Sequence, residues 1–266
     1  MPDTPDKEDE LAGTEQPFVQ HLVELRDRLI RAVLAVGIVA AVLFFFPGPG
    51  ALYDLLAAPL VAHLPKGATL IATSVISPFM VPLKILLMAA FMVALPVVLY
   101  QLWAFIAPGL YSHEKKLVLP LVISSTLLFF LGVGFCYFFV FGKVFAFIQG
   151  FAPKSITAAP DIEAYLSFVL TMFLAFGLAF EVPIAVVVLA RMGIVSIEKL
   201  KAFRGYFVVL AFVAAAVVTP PDVVSQLALA LPMCVLYEVG IWAARIFIRH
   251  TQPPADSADE KKTEAV

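Results

Sequence analysis

Carboxylates are the residues of this chain best placed to do chemistry, and three of them keep unusual company. In "WAFIAPGLYSHEKK", Trp103 to Lys116, Glu114 stands between His113 and the pair Lys115-Lys116, just after a row of aromatics. A carboxylate so placed can receive an incoming cation. It meets a guanidinium best, through two parallel N–H···O bonds. The same stretch also reads as an ordinary membrane boundary. Trp103, Phe105 and Tyr111 suit an interfacial aromatic belt and the lysines suit anchors, which leaves Glu114 as a solvated charge. His113-Glu114 opens the zinc-protease pattern HExxH, but the second histidine is missing, so no metal is expected there.

Glu24 lies in "PFVQHLVELRDRLIRAVL". Phe18, Leu22, Leu25, Leu29 and Val33 recur every three or four residues, and His21, Glu24, Arg28 and Arg31 fall on another face. The spacing predicts an amphipathic helix at the membrane surface that continues into a span. Glu24 and Arg28, four apart, are also spaced simply to support that helix. Glu181 sits mid-run in "LAFGLAFEVPIAVVV". A lone charge there costs at least about 2.5 kcal/mol, so it must be neutral, paired or facing a wet cavity. Pro183 frees a nearby carbonyl that could help line a polar pocket. A structural hydrogen bond between helices is the plainer reading. Thr219, Asp222, Ser225 and Gln226 form a polar lip around "TPPDVVSQ", and Lys84 opens another apolar run, where it can snorkel outward.

Other chemistries are missing from the sequence. It holds no GxxxxGK[ST] loop, no GxGxxG fingerprint and no GxSxG elbow, and all four histidines lie outside the apolar cores. No enzyme activity and no cofactor are expected. Cys136 and Cys234 lie inside apolar runs and read as small packing residues.

The elements that must position these residues are membrane spans. The chain is 62% apolar and only 14% charged, with a mean hydropathy of +0.97. Water-soluble domains carry about 25% charged residues. With a net charge of −2, nothing draws the chain to nucleic acid. The expected class is all-α, a polytopic membrane protein in contact with lipid. Six spans are expected, at about 29–46, 79–99, 117–141, 165–190, 206–218 and 227–248. The last two are read as short, because Pro220-Pro221 stops the fifth run and Glu238 interrupts the sixth. Asp222 is placed to cap the helix that follows the turn. The outer loops, about 47–78 and 142–164, suit short surface helices. Residues 1–17 and 251–266 are polar and read as disordered tails around a membrane domain at 18–250, with no cleavable leader apparent. Six spans place fourteen Lys and Arg on the side of both tails and three on the other, with Lys84 near a span start. That bias puts both termini in the cytoplasm.

The chain resembles the TatC family, the receptor subunits of twin-arginine protein translocases. The resemblance rests on "HLVELRDRL", "IATSVISPF", "LYQLWAFIAPGLYSHEKK", "AFEVP" and "VTPPDVVSQ", in family order across about residues 18–250. It implies six spans in a cupped arrangement in the inner membrane of a bacterium. It also implies binding of twin-arginine signal peptides on folded cargo, and recruitment of TatA- and TatB-type single-span proteins. Self-association in a larger complex and export driven by the proton-motive force follow from the same resemblance. The family's signal-recognition acids fall on Glu24 and Glu114, and its aromatic partner on Phe105. Its intramembrane acid falls on Glu181. Asp222 and Gln226 fall where partner helices are expected, and Arg26, Pro59 and Pro96 fall on structural positions. Some relatives carry arginines where this chain has Lys115-Lys116, so any fork-shaped contact there is weaker. A competing reading, an ion-coupled transporter using Glu181 and Lys84, predicts uptake by the purified protein alone.

Overall fold

The computed structural model describes residues 7–61, 71–106, 118–151, 161–219 and 222–249. For residues 7–20, 56–61, 148–149, 151 and 247–249 only the backbone is described. The chain is all-α. Its helices are α1 (Lys7–Phe45), α2 (Pro49–Val61), α3 (Ser77–Ile106), α4 (Val118–Phe135), α5 (Phe141–Phe151), α6 (Ile162–Ala179), α7 (Val182–Arg191), α8 (Ile197–Ala202), α9 (Arg204–Val218) and α10 (Val223–Arg249). One π-helical turn, Cys136–Val140, joins α4 to α5. Helical backbone thus begins at Lys7, inside the stretch read as a tail. Among the described residues, five segments are long and apolar enough to cross a membrane: His21–Phe45, Ser77–Ile106, Val118–Phe147, Ile162–Arg191 and Val223–Ile246. Arg204–Val218 is apolar but shorter. Large side chains such as Val33, Ile38, Phe45, Phe138 and Val217 face outward. Such a surface is stable against lipid and not against water.

The expectation of two short final helices holds for α9 alone. α10 runs 27 residues through Glu238. The reason is a partner distant in sequence: Arg204 Nη2 donates to Glu238 Oε2 at 2.6 Å. With its charge met, Glu238 does not interrupt the helix. Asp222 does cap α10, its Oδ1 accepting from Ser225 N at 2.7 Å. The break expected around Glu181 is also present. α6 ends at Ala179 and α7 begins at Val182, because Pro183 has no N–H to continue the ladder.

The chain forms two compact units, Met1–Thr126 with Lys154–Leu170, and Leu127–Pro153 with Thr171–Val266. In the first, α1 and α2 both pack on α3. Trp103 is buried and its indole N–H donates to Ser125 Oγ at 2.9 Å, which satisfies both polar groups. A polar knot ties the start of α6 to the start of α3. Asp161 Oδ1 accepts from Thr73 N at 3.1 Å and from Thr73 Oγ1 at 2.7 Å, and Asp161 Oδ2 accepts from Ala164 N at 3.0 Å. Beside it, Glu163 accepts from Ser77 Oγ at 2.7 Å and Lys84 Nζ at 2.8 Å. Lys84 is therefore part of a structural clamp.

The Ala164 N–H, with the Thr73 hydroxyl and N–H, holds the Asp161 carboxyl below its ordinary value. Stability from such a group is complete above the unfolded value of about 3.9 and is lost as pH falls through the lower folded value. Acidifying the detergent-purified protein below about pH 4 should lower its thermal midpoint. Asp161→Asn should flatten that part of the profile, and a profile identical to wild type would show that the knot adds no pH-dependent stability.

In the second unit α10 packs on α7, α8 and α9. Val186, Ala190, Leu200, Tyr237, Ile241 and Ala244 form its buried cluster. Tyr237 stacks on Phe207 with centroids 4.0 Å apart, and its hydroxyl donates to Leu200 O at 2.9 Å. Small residues allow close approach of helices. A Cβ on Gly132 of α4 would lie 2.4 Å from Phe176 O of α6, and a Cβ on Gly240 of α10 would lie 2.9 Å from Pro183 Cα.

Candidate functional site

The end of the first unit where α1 begins its span and α3 finishes carries the first group of expected residues. Along α1 the half-buried positions include Glu24, Arg28, Ala32, Val36, Ala40 and Leu43, one stripe at three- and four-residue spacing. That stripe faces α3. Glu24 is therefore not a free surface charge: its side chain is 37% exposed, and that of Arg28 is 22% exposed. Arg28 Nε and Nη2 both donate to one oxygen, Glu24 Oε1, at 2.8 and 2.6 Å. The carboxylate thus already holds a guanidinium edge, and Oε2 points elsewhere. One turn earlier, the His21 ring stacks on Phe105 of α3, with centroids 4.4 Å apart and planes 18° from parallel. Helix α1 thus places Glu24 three residues past His21, on the stripe that faces the α3 segment ending in Phe105. Such an arrangement can bind a cation with an apolar neighbour.

The other expected residues are dispersed. Arg26 points away and pairs with Asp27 at 2.9 Å, where both are well exposed and the bond contributes little. Pro96 lies inside α3. Pro59 lies in α2 among residues described by backbone alone. Glu114 lies outside the described residues. Glu181 forms the N-terminal boundary of α7, its N–H donating to Leu178 O and its C=O accepting from Ala185 N, and its carboxylate oxygens are buried. No group of three His, Cys, Asp or Glu side chains is arranged for a metal among the described residues.

A second polar feature lies in the other unit, where α9 meets α10. Gln226 Nε2 donates to Phe212 O at 3.3 Å. The same glutamine lines an open groove of about 330 Å³ with Val208, Val209, Phe212, Val213 and Ala216. Nearby Asp222 Oδ2 and Ser225 Oγ are buried without a hydrogen-bond partner among the described residues.

One residue was not anticipated. Gln101 of α3 lies one turn before Phe105, and its side-chain Oε1 is buried without a hydrogen-bond partner among the described residues. The signal for it was present in "YQLWAF", a lone amide four residues before the aromatic in an otherwise apolar run.

Known proteins share this fold. The family model described as "Sec-independent protein translocase protein (TatC)" matches residues 20–232. The chain is 50% identical over 257 residues to the Sec-independent protein translocase protein TatC of Halothiobacillus neapolitanus, covering 94% of this chain and 70% of that one. It is 48% identical to the protein of the same name from Escherichia coli K12, covering 88% and 90%. A crystal structure of "Twin Arginine Translocase Receptor- TatC" superposes with a TM-score of 0.74 at 41% identity, covering 85% of this chain and 98% of that one. The matched stretch holds the His21–Phe105 stack, the Glu24–Arg28 pair, the Glu181 break and the groove at Gln226. The chain belongs to the TatC family of Sec-independent protein translocase proteins, multi-pass membrane components of protein transport and not enzymes.

Proposed function

We propose that this chain is the receptor of a twin-arginine translocase and that the α1–α3 face reads the signal peptide. The observation that carries this is the Glu24 carboxylate. It is half-buried, already shaped around a guanidinium edge, and three residues along α1 from His21, whose ring stacks on Phe105. A second arginine-reading acid, Glu114, follows Phe105 in the chain. Two planar guanidinium groups can each be met by a carboxylate, which a compact ammonium does not imitate. The Phe105 surface then receives the apolar part of the peptide.

The wider reading has six spans, with α9 as the short fifth, both termini cytoplasmic, in a bacterial inner membrane. The asymmetry of Lys and Arg supports that orientation. The groove at Gln226, with Asp222 at the start of the same helix, is the surface proposed for TatA- and TatB-type partner helices. An apolar groove with one amide suits a membrane helix carrying a polar side chain. The test is photocrosslinking from a reactive residue at Phe105 to twin-arginine and twin-lysine signal peptides. Strong labelling with arginine that is lost with lysine is expected. Equal labelling of both peptides would return the whole stretch to an ordinary charged anchor.

A further inference from the structure

We infer that Gln101 is a further specificity-determining residue of this face, its side-chain carbonyl accepting an N–H from an arginine of the bound peptide. The inference rests on the receptor reading above and names a group within that same site.

Three observations lead to it. First, Gln101 Oε1 is buried and has no hydrogen-bond partner among the described residues. Buried polar atoms in folded proteins are nearly always bonded, so one left open marks a place for a ligand or a water. The Trp103 indole, two residues along α3, is already used, since it gives its N–H to Ser125. Second, Gln101 precedes Phe105 by four residues and shares its face of α3. The His21–Phe105 stack joins the start of the α1 span to the end of α3, so the two helices run in opposite senses. Moving one turn along each helix from that stack, about 6 Å at 1.5 Å per residue, brings Gln101 level with Glu24 and Leu25. Glu24 lies on the stripe of α1 that faces α3, so it turns toward Gln101 at that level. Third, Arg28 engages only one oxygen of Glu24. Glu24 Oε2 and Gln101 Oε1 therefore remain as two acceptors at one level of the helix pair.

A guanidinium has five N–H donors spread over a flat ion, so it can bond two separated acceptors at once. An ammonium concentrates its donors on one atom and satisfies the carboxylate while leaving the amide oxygen open. Glu24 thus supplies most of the attraction and the first contact with the planar ion, and Gln101 adds to the preference for it. A neutral acceptor suits that task, because it adds direction without adding general attraction for lysine.

The test is binding of synthetic twin-arginine and twin-lysine signal peptides to the full-length protein purified in detergent. Gln101→Leu removes the acceptor at similar volume, and Gln101→Met serves if the leucine variant does not fold. Affinity for the arginine peptide should fall roughly tenfold while affinity for the lysine peptide stays the same. Gln101→Glu, which restores an acceptor, should recover arginine binding. An unchanged ratio of the two affinities, with both intact or both weakened, overturns the inference. Glu24→Gln is measured alongside. Discrimination lost in that variant but kept in Gln101→Leu removes only the glutamine from the site. Discrimination kept in both variants removes the inference together with this face, and equal affinity of the wild-type protein for the two peptides removes the receptor reading itself.

Discussion

Glu24→Gln is expected to lower export of a twin-arginine reporter protein at least tenfold while the variant accumulates in the membrane at wild-type level. A hydrogen bond to a charged group contributes about 1.5–3 kcal/mol, and each 1.4 kcal/mol is a factor of ten in binding. Replacing the carboxylate by an amide keeps the shape and removes the charge. The fold itself loses little, because a helix pair four residues apart contributes only about 0.3–0.5 kcal/mol when partly exposed. The large gap between the two effects is the diagnostic. Export assayed with membrane abundance checks it. A fall in export that merely follows a fall in abundance would assign Glu24 a structural part only. Glu114→Ala should behave in the same way, with the same two readouts.

Gly132→Ala should destabilise the second unit by about 1–3 kcal/mol, the usual cost of overpacking a tight contact. The added methyl would stand 2.4 Å from Phe176 O and 2.9 Å from the Phe180 ring. The first obstacle is backbone, which no rotamer change can clear. Alanine ordinarily improves a helix by about 1 kcal/mol over glycine, so the sign here is opposite to the local preference. Gly134, two residues on in the same helix, has nothing within 4 Å of a built Cβ, and Gly134→Ala is the control. Thermal midpoints in detergent should separate the pair, with Gly132→Ala lower. Equal midpoints would show that α4 and α6 can part at no cost. Gly177→Ala should also lower the midpoint, because its methyl meets the buried Phe129 ring.

What was legible in the sequence was local. The apolar runs gave the long helices, "TPPD" gave both the end of α9 and the cap of α10, and "FEVP" gave the break between α6 and α7. Each depends on residues within a turn or two of one another. What escaped depends on partners far along the chain. Glu238 looks like an interruption until Arg204, 34 positions away, is seen to meet it. Lys84 looks like a functional cation until Glu163, 79 positions away, takes it. Gln101 looks like one more boundary residue, because an open acceptor is defined by what fails to reach it. In the face proposed for recognition, Glu24 and Phe105 were singled out through family motifs and not through physics. Their spacing alone is equally that of a supporting ion pair and an interfacial ring.

The polar knot at Asp161 has a consequence for how the protein is made. Thr73 and Asp161 are 88 residues apart, with the whole of α4 between them. A ribosome adding about 5–20 residues per second needs several seconds to cover that distance. During that interval the start of α3 waits in the membrane with Thr73, Ser77 and Lys84 lacking their carboxylates. The second unit, meanwhile, has already contributed the second half of α4 and all of α5 before the first can close. Neither unit is therefore a segment that could be synthesised, inserted and finished on its own, and a chain halted before α6 would present the membrane with both halves open.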